Sequence, residues 1–212
     1  MYVYTESAAS QPESAAIVRD CEGMRVPGIL LSEAKFRAIS SVENGVGVMF
    51  VVDTPRLTAP GALTTSALLL ENIQDPGNMG TMLRTAAAAG VTEVYVSSGS
   101  VAVWSPKVLR AGMGAHYALR IYENCDLVGL VTGSKVPVLV TSLNATDSIY
   151  DKNLSGETAW LFGNEGNGVS RELLSLDVEH VIIPQNPSVE SLNVAAAVAV
   201  CLFEQVRQRG SS

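Results

Sequence analysis

Short apolar segments, each followed by turn residues and then by a helical pattern, recur through the last two thirds of this chain. Six of these segments have the length and the β-branched or aromatic content of buried strands. They are Ala67–Leu70, Glu93–Ser97, Leu119–Tyr122, Val136–Thr141, Thr158–Phe162 and Val181–Ile183. Because a strand that is apolar at nearly every position must be covered on both faces, the pattern predicts a parallel sheet inside the protein.

The segments between these strands predict helices. They are Asn78–Ala89, Ser105–Ala115, Asp126–Gly133, Gly168–Ser175 and Ser191–Arg209. We expect Asn78 and Ser191 to be N-caps, because their side chains can accept a hydrogen bond from an unpaired helix N–H. The repeated alternation of strand and helix predicts an α/β fold with a mostly parallel sheet and helices on both faces.

The first 55 residues show a weaker pattern. We interpret the polar segment Met1–Ser14 as irregular. The elements expected after it are a helix, a strand, a helix and a strand, at Ser14–Cys21, Gly28–Leu31, Ser32–Ser40 and Gly45–Val52. Asp53–Thr65 contains two prolines and a glycine, which favour a linker. We therefore predict an N-terminal α/β domain over residues 1–55, a linker over 56–65 and a second domain over 66–212.

Composition limits the class of protein. The chain has 212 residues, of which 47% are hydrophobic, so we expect a substantial core. No apolar run reaches the roughly 18 residues of a membrane helix, and no signal peptide is recognisable. Its three cysteines are far apart, which favours a reduced, cytoplasmic setting. The net charge of −7 argues weakly against a nucleic-acid partner, because a local basic patch matters more than the total.

The segment Asn72–Gly90 follows a predicted buried strand and opens a predicted helix. Its Asp75-Pro76-Gly77 sequence is typical of a turn. Arg84 is the one charged residue between Pro76 and Thr92. A guanidinium on a helix otherwise free of charge indicates either a functional cleft or an exposed arginine whose stem packs on the surface. Spacing alone leaves both interpretations open.

Two further segments follow predicted strands. Leu161–Val169 has three glycines within six residues, and glycine permits a close approach of the backbone to a ligand. Pro184–Glu190 contains two prolines, which restrict the loop before the last helix. Each segment alone is also compatible with an ordinary connection between a strand and a helix.

The carboxyl ends of parallel strands lie at one edge of a sheet, where α/β proteins bind their ligands. All three segments follow predicted strands, so we predict that they meet in one site. The sequence has no phosphate-binding loop and no Gly-x-Ser-x-Gly elbow. Its two histidines, His116 and His180, are well separated, so we expect no metal.

Taken together, the three segments resemble the motifs of the SpoU (TrmH-type) RNA ribose methyltransferases of the SPOUT superfamily. The first motif, N-x-x-D-P-x-N-x-G-x-x-x-R, falls on Asn72, Asp75, Pro76, Asn78, Gly80 and Arg84. The second, G-x-E-x-x-G, falls on Gly163, Glu165 and Gly168. The third falls on Ile183, Pro184, Ser191, Leu192, Asn193 and Val194. The chain departs from the family at Gln185 and Pro187, where methionine and glycine are usual.

This resemblance implies that S-adenosylmethionine is the cofactor and that a C-terminal trefoil knot holds it without a metal. The residues implied to bind the cofactor are Thr141, Gly163, Ile183, Pro184 and Leu192. The residues implied to be catalytic are Arg84, Asn72, Glu165, Ser191 and Asn193. Among these, Arg84 is expected to act on the ribose 2′-hydroxyl, by stabilising developing negative charge or by holding an adjacent phosphate.

The resemblance also implies an RNA partner. Met1–Asp53 is similar to the closing part of the small RNA-binding domain that precedes the catalytic domain in this family, and its opening half is expected to be absent. The candidate RNA contacts are Asn78, Lys107, Arg110 and His116, with Arg120 beside them. A solvated helix face is an equally good interpretation of the four basic residues.

We expect a homodimer that forms through the knot and the last helix, because Val194–Phe203 is apolar nearly all round. The predicted reaction is methyl transfer to a ribose 2′-hydroxyl of rRNA or tRNA, with rRNA favoured. A non-catalytic RNA-binding or assembly protein and a base-nitrogen methyltransferase are the alternatives. Arg84, Glu165 and Asn193 favour the enzyme, and the third motif argues against a base target.

Overall fold

The computed structural model describes residues 1–40, 42 and 45–210. The chain divides into two compact units, Met1–Pro55 and Arg56–Ser212. Within the described residues, no helix is both long enough and apolar enough to cross a membrane.

In the described part of the N-terminal unit, a three-stranded sheet is accompanied by three helices. The elements are β1 (Tyr2–Thr5), α1 (Glu6–Ser10), α2 (Pro12–Gly23), β2 (Gly28–Leu31), α3 (Glu33–Ile39) and β3 (Val48–Phe50). The strand order is β2–β1–β3. The central strand β1 runs parallel to β2 and antiparallel to β3.

The prediction that Met1–Ser14 is irregular is wrong. Tyr2 is buried in β1, and its ring stacks on Tyr4 with the centroids 5.3 Å apart. Thr5 then caps α1, because its hydroxyl oxygen accepts a hydrogen bond from the Ala8 N–H at 3.2 Å. This short strand was missed because its neighbours β2 and β3 stabilise it from far along the sequence.

The C-terminal unit contains a six-stranded sheet in which every described pairing is parallel. Its strands are β4 (Ala67–Leu70), β5 (Glu93–Ser97), β6 (Arg120–Cys125), β7 (Val138–Thr141), β8 (Ala159–Phe162) and β9 (Glu179–Val181). Its helices are α4 (Pro76–Ala88), α5 (Pro106–Gly112), α6 (Leu127–Thr132), α7 (Arg171–Leu174) and α8 (Val194–Gly210). Two short 3₁₀ helices lie at Ala115–Ala118 and Ile149–Asp151. The predicted α/β class with a mostly parallel sheet is confirmed.

Strand β4 shows why the sheet is covered on both faces. Leu68 and Leu70 belong to a core cluster that includes residues of α4 and α8. Leu69 points the other way and belongs to a second cluster, with residues of α6 and α7. Since successive side chains of a strand alternate between faces, three buried leucines in a row require helices on both sides.

The strand order β6–β5–β4–β8–β7–β9 reverses direction at β4. From β4 the chain proceeds outward through β5 and β6, and it then returns to build β7, β8 and β9 on the other side. Loops that leave neighbouring strands at such a reversal diverge and open a crevice at the carboxyl edge of the sheet. The connections after β4 and β8 lie at this point.

Two predicted boundaries next to this crevice are wrong. The last strand is Glu179–Val181, not Val181–Ile183, because residues 179–181 pair with β7. Ile182 instead forms an isolated bridge with Ser148. The last helix begins at Val194, not at Ser191.

The cap of α4 also differs from the prediction. Asp75, not Asn78, is the N-cap, because the Asp75 carboxylate accepts a hydrogen bond from the Asn78 N–H at 2.7 Å. The Asn78 side chain is therefore released from the capping role and is available for other contacts.

Candidate functional site

A cavity of about 370 Å³ lies at the carboxyl ends of β7 and β8, a volume within the usual range for a small-molecule site. Part of its wall is apolar, formed by Leu161, Phe162, Ile183, Val194 and Ala197. The predicted site residues that line it are Thr141, Gly163, Glu165, Ile183, Ser191 and Leu192. The predicted residues that do not line it are Asn72, Arg84, Pro184 and Asn193.

Gly163 brings two backbone segments into close contact at the rim of the cavity. A Cβ atom added there would lie 2.2 Å from the Gly168 carbonyl carbon and 2.3 Å from the Val169 nitrogen. Real Cβ atoms do not approach backbone so closely, so only glycine fits without displacing the loop. The intervening turn is held by Asn164, whose side-chain oxygen accepts hydrogen bonds from the N–H groups of Gly166 and Asn167, both at 3.0 Å.

The Glu165 carboxylate binds the start of α4. It accepts hydrogen bonds from the Gln74 N–H at 3.2 Å, the Asp75 N–H at 3.1 Å and the Asn78 amide at 3.2 Å. Burial raises the pKa of Glu165, but hydrogen bonds from its own backbone, Asn78, Asp75 and Gln74 outweigh burial and hold that pKa below its ordinary value. Glu165 is therefore an ionised brace between two segments and a poor proton acceptor.

Asn78 connects this brace to the last helix. Its amide nitrogen donates to Glu165, and its amide oxygen accepts a hydrogen bond from the Asn193 amide at 3.0 Å. The Asn193 side-chain oxygen accepts from the N–H groups of Ala195 at 2.9 Å and Ala196 at 3.3 Å. Asn193 therefore performs the capping role predicted for Ser191. All three sequence segments are joined by side-chain hydrogen bonds.

Both ends of the Asn78 amide are therefore engaged within the protein. An RNA contact of Asn78 would compete with Glu165 and Asn193 for the same amide group. The position of Asn78 therefore gives no support to the prediction that it contacts RNA.

Asn72 adopts an uncommon backbone conformation at the end of β4, with φ of 52°. Its N–H donates to the Ser97 hydroxyl at 2.9 Å, and its carbonyl accepts a hydrogen bond from the Asn164 amide at 2.9 Å. Its side-chain oxygen accepts from the Gln74 amide at 2.8 Å. These contacts hold the left-handed conformation and fix the turn that leads into α4.

Several of these supporting residues were missed in the sequence. Gln74 and Asn164 occupy variable positions inside the first two motifs, and Ser97 is the last residue of β5, at the same sheet edge. Gln185 and Glu190, which also line the cavity, lie in the proline-containing loop. The position of Ser97 at the carboxyl end of a predicted parallel strand was the signal in the sequence that indicated it as a site residue.

Arg84 lies on α4, six residues beyond Asn78 and therefore about 9 Å along the helix axis. Its side chain is exposed, on the stripe that also presents Gly77, Thr81 and Ala88. It has no hydrogen bond or ion pair with any residue that the structure describes. The guanidinium is consequently free to bind an external anion.

The four basic residues of the α5 region do not form one cluster. Lys107 and Arg110 are exposed on α5. Arg120 forms an ion pair with the buried Glu93. The prediction that His116 contacts RNA is wrong, because its side chain is only 2% exposed and its Nε2 donates to the Val103 carbonyl at 3.0 Å.

Burial also decides the charge of His116. It lowers the pKa of the imidazole more than the hydrogen bond to the Val103 carbonyl raises it. The ring is therefore neutral at pH 7 and packs against Trp104, with the centroids 5.0 Å apart.

Among the described residues, no group of three or more His, Cys, Asp or Glu side chains could hold a metal ion.

These features define an α/β protein with a braced ligand site at the carboxyl edge of a parallel sheet. A sequence model of the SpoU rRNA Methylase family matches residues 65–203. The chain therefore belongs to the SpoU rRNA methylase family, which confirms the resemblance seen in its three motifs.

Named relatives agree with this assignment. The chain is 36% identical over 188 residues to an uncharacterised tRNA/rRNA methyltransferase of Synechocystis, covering 87% of this chain and 69% of that protein. It is 32% identical over 176 residues to the 23S rRNA (guanosine(2553)-2′-O)-methyltransferase RlmP of Bacillus subtilis, covering 82% and 70%. It is 37% identical over 149 residues to the 23S rRNA (guanosine-2′-O-)-methyltransferase RlmB of Pseudomonas putida, covering 67% and 58%.

Solved structures are similar over the full chain. A Porphyromonas gingivalis protein described as a TrmH-family RNA methyltransferase has a TM-score of 0.80 at 32% identity, covering 100% of this chain and 82% of that one. The SpoU methyltransferase AviRb from Streptomyces viridochromogenes, in complex with AdoMet, has a TM-score of 0.81 at 23% identity, covering 100% and 83%. At that identity AviRb shows similarity of fold alone.

Proposed function

We propose that this chain is an S-adenosylmethionine-dependent methyltransferase that acts on a ribose 2′-hydroxyl of ribosomal RNA. The observation that carries the proposal is the chain of hydrogen bonds Glu165–Asn78–Asn193, which joins all three family motifs beside the cavity. The relatives RlmP and RlmB, whose names specify the 2′-oxygen of a guanosine in 23S rRNA, support ribosomal RNA and the ribose oxygen over tRNA and a base nitrogen.

The cavity fits S-adenosylmethionine. Its apolar wall suits an adenine ring, and the close backbone packing at Gly163 leaves main-chain groups rather than side chains at the rim. We assign cofactor binding to Thr141, Gly163, Ile183 and Leu192. Pro184 does not line the cavity, so its proposed role is to shape the loop. S-adenosylmethionine, when bound, supplies a methyl group on a positively charged sulfonium.

The residues around the cavity have separate roles in this proposal. Glu165, Asn78 and Asn193 position the start of α4 and the start of α8, so that both helices hold their places before a ligand arrives. Ser191 lines the cavity and can donate or accept a hydrogen bond from there. Asn72 fixes the turn before α4 through its contacts with Ser97 and Gln74.

Arg84 is the proposed catalytic residue for the RNA. A ribose 2′-hydroxyl is a poor nucleophile, so it needs alignment and a means of losing its proton. The guanidinium stays protonated at neutral pH, so it cannot accept the proton of the hydroxyl. It can instead stabilise developing negative charge on the oxygen or hold a neighbouring phosphate. The exposed Lys107 and Arg110 are proposed to contact RNA phosphates, and the N-terminal unit is proposed to bind RNA as well.

The first test of the function is cofactor binding followed by methyl transfer. We expect calorimetry to show one S-adenosylmethionine site per chain, with an affinity that a metal chelator leaves unchanged. With labelled cofactor and ribosomal RNA that lacks its methyl groups, label should enter ribose and protect the adjacent phosphodiester from alkaline cleavage. Binding without transfer to any RNA would instead favour a non-catalytic RNA-binding protein.

We also propose that the C-terminal chain threads a trefoil knot. The segment after β9 supports this, because Ile182 donates to the Asp147 carbonyl at 2.8 Å while its own carbonyl accepts from the Ile149 N–H at 2.9 Å. The chain thus passes beside the β7–β8 connection before α8 packs against α4 and β8. We expect such threading to give a slow refolding phase that a prolyl isomerase does not accelerate, and refolding kinetics with and without the isomerase measure it.

A homodimer through α8 is the proposed assembly. The helix buries one face, yet Phe203 is 47% exposed and Val206 is 37% exposed on the opposite face, in line with the exposed Ala196. An apolar stripe of this kind on a soluble helix is typical of an interface with another copy.

Replacing Phe203 with aspartate is therefore expected to convert a dimer into a monomer, because a charge would be buried without a partner at the interface. Light scattering at micromolar concentration measures the change. Met24→Asp, which alters a still more exposed apolar residue directly after α2, is the control and should leave the dimer intact. A wild-type chain that is itself monomeric would contradict the proposal.

A further inference from the structure

The charged residues that line the cavity above β7 and β8 are all acidic. Of the described residues on its wall, Glu165 and Glu190 carry negative charge, and none is lysine, arginine or histidine. A partly enclosed site with one sign of charge raises the affinity for ligands of the opposite sign. The cavity is therefore suited to a cationic ligand, and it disfavours an anionic one.

The two carboxylates differ in how much of their charge reaches a ligand. Glu165 accepts hydrogen bonds from the backbone N–H groups of Gln74 and Asp75, which lie directly before α4, and these donors offset its charge. Glu190 is exposed at the end of the proline-containing loop and has no hydrogen bond or ion pair with any described residue. Within the described residues no partner neutralises the charge of Glu190, so a cation in the cavity can interact with it, although water screens this interaction.

We propose that Glu190 is a specificity-determining residue that favours the charged cofactor over its spent product. The inference rests on the proposed function. In the transfer, the bond from methyl carbon to sulfur breaks and a bond from that carbon to the ribose oxygen forms, while the hydroxyl proton is released. The sulfonium of S-adenosylmethionine takes the bonding electron pair and becomes the neutral thioether of S-adenosylhomocysteine. One unit of positive charge thus leaves the cavity at each turnover.

The rest of the two molecules is identical, so shape and hydrogen bonding cannot separate them except through the methyl group. A carboxylate on the wall of the cavity attracts the sulfonium and has no such attraction for the thioether. Because Glu190 is solvated, we expect a discrimination of only about threefold to tenfold. That is enough to make the product leave more readily than the cofactor when both are present at similar concentrations.

The test is calorimetry on the whole chain with S-adenosylmethionine and with S-adenosylhomocysteine. In Glu190→Gln, the ratio of the product Kd to the cofactor Kd should fall by about threefold or more, through weaker cofactor binding at nearly constant product binding. In Glu190→Lys the ratio should fall further. The wild-type discrimination should also shrink at high salt, because ions screen an exposed charge.

The matched control is Glu172→Gln, which removes one negative charge from an exposed position on α7 that does not line the cavity. It should keep the wild-type ratio, which separates a local effect from one of net charge. An unchanged ratio in both Glu190 variants, with both ligands still bound, would overturn this inference and leave the proposed function standing. A wild-type chain that binds neither ligand would overturn the proposed function, and this inference with it.

Discussion

Replacing Arg84 with alanine is expected to lower the rate of methyl transfer by about 10²–10³ while the affinity for S-adenosylmethionine stays almost unchanged. The physical reason is the position of the side chain, which is exposed on α4 and does not line the cavity. Its charge can act on the RNA but has no part in holding the cofactor. An interaction made chiefly in the transition state changes the rate and leaves ground-state binding alone.

Arg84→Lys is expected to lower the rate of methyl transfer nearly as much as Arg84→Ala does. A lysine ammonium keeps the positive charge, but it cannot reproduce the planar set of donors with which a guanidinium holds two oxygens at once. If the lysine variant regained most of the rate, charge alone would explain the role of Arg84.

Single-turnover rates at saturating RNA distinguish a defect in chemistry from a defect in RNA binding. The control is Arg171→Ala, which removes an exposed helical arginine of α7 that does not line the cavity. It should keep the wild-type rate. Wild-type single-turnover rates for Arg84→Ala would refute the catalytic assignment and favour the surface-arginine interpretation.

Replacing Gly163 with alanine is expected to weaken S-adenosylmethionine binding by about tenfold to a hundredfold and to lower the free energy of unfolding by about 1–3 kcal/mol. The new Cβ would lie 2.2–2.3 Å from backbone atoms of Gly168 and Val169, and backbone cannot rotate away as a flexible side chain can. The loop must therefore move, and with it the rim of the cavity. The same loop carries Glu165, so the brace to α4 would be disturbed as well.

Gly166→Ala is the matched control within the same turn. A Cβ atom there would come no closer than 3.5 Å to a neighbouring atom, Asn164 Oδ1, which is an ordinary contact. This variant should keep the affinity and the melting temperature of the wild type within the error of calorimetry and thermal unfolding. Equal behaviour of the two variants would show that the close packing at Gly163 is not needed for the site.

The braced site explains why residues remote in sequence belong to one function. Glu165 and Asn78 are 87 positions apart, and Asn193 lies 115 positions beyond Asn78, yet their amides and carboxylate form one chain of bonds. The three residues hold the loop after β8, the start of α4 and the start of α8 in fixed positions relative to one another. Positioning of this kind preorganises a site at the cost of buried or strained polar groups such as Asn72.

Local pattern predicted most of the strands, because buried parallel strands are short, apolar and bounded by turn residues. β4 and β5 agree with the structure at both ends. The predicted strands were wrong where pairing with residues far along the chain determines whether a strand forms and where it ends. The strand β1 forms between β2 and β3, which lie later in the sequence. The strand β9 ends at Val181 because Ile182 forms an isolated bridge with Ser148. In that last case apolar character reflected burial rather than strand pairing.

The sequence by itself determined the class of fold, the family and the three segments that carry the chemistry, because these depend on residue type and on spacing along the chain. Only the tertiary structure decided what each polar side chain does. It placed Asn78 between Glu165 and Asn193, buried His116 against Trp104, paired Arg120 with Glu93 and left Arg84 exposed on α4. The physical reason is that hydrogen bonding, desolvation and ion pairing depend on distances across the sheet and between helices, and spacing along the chain does not determine those distances.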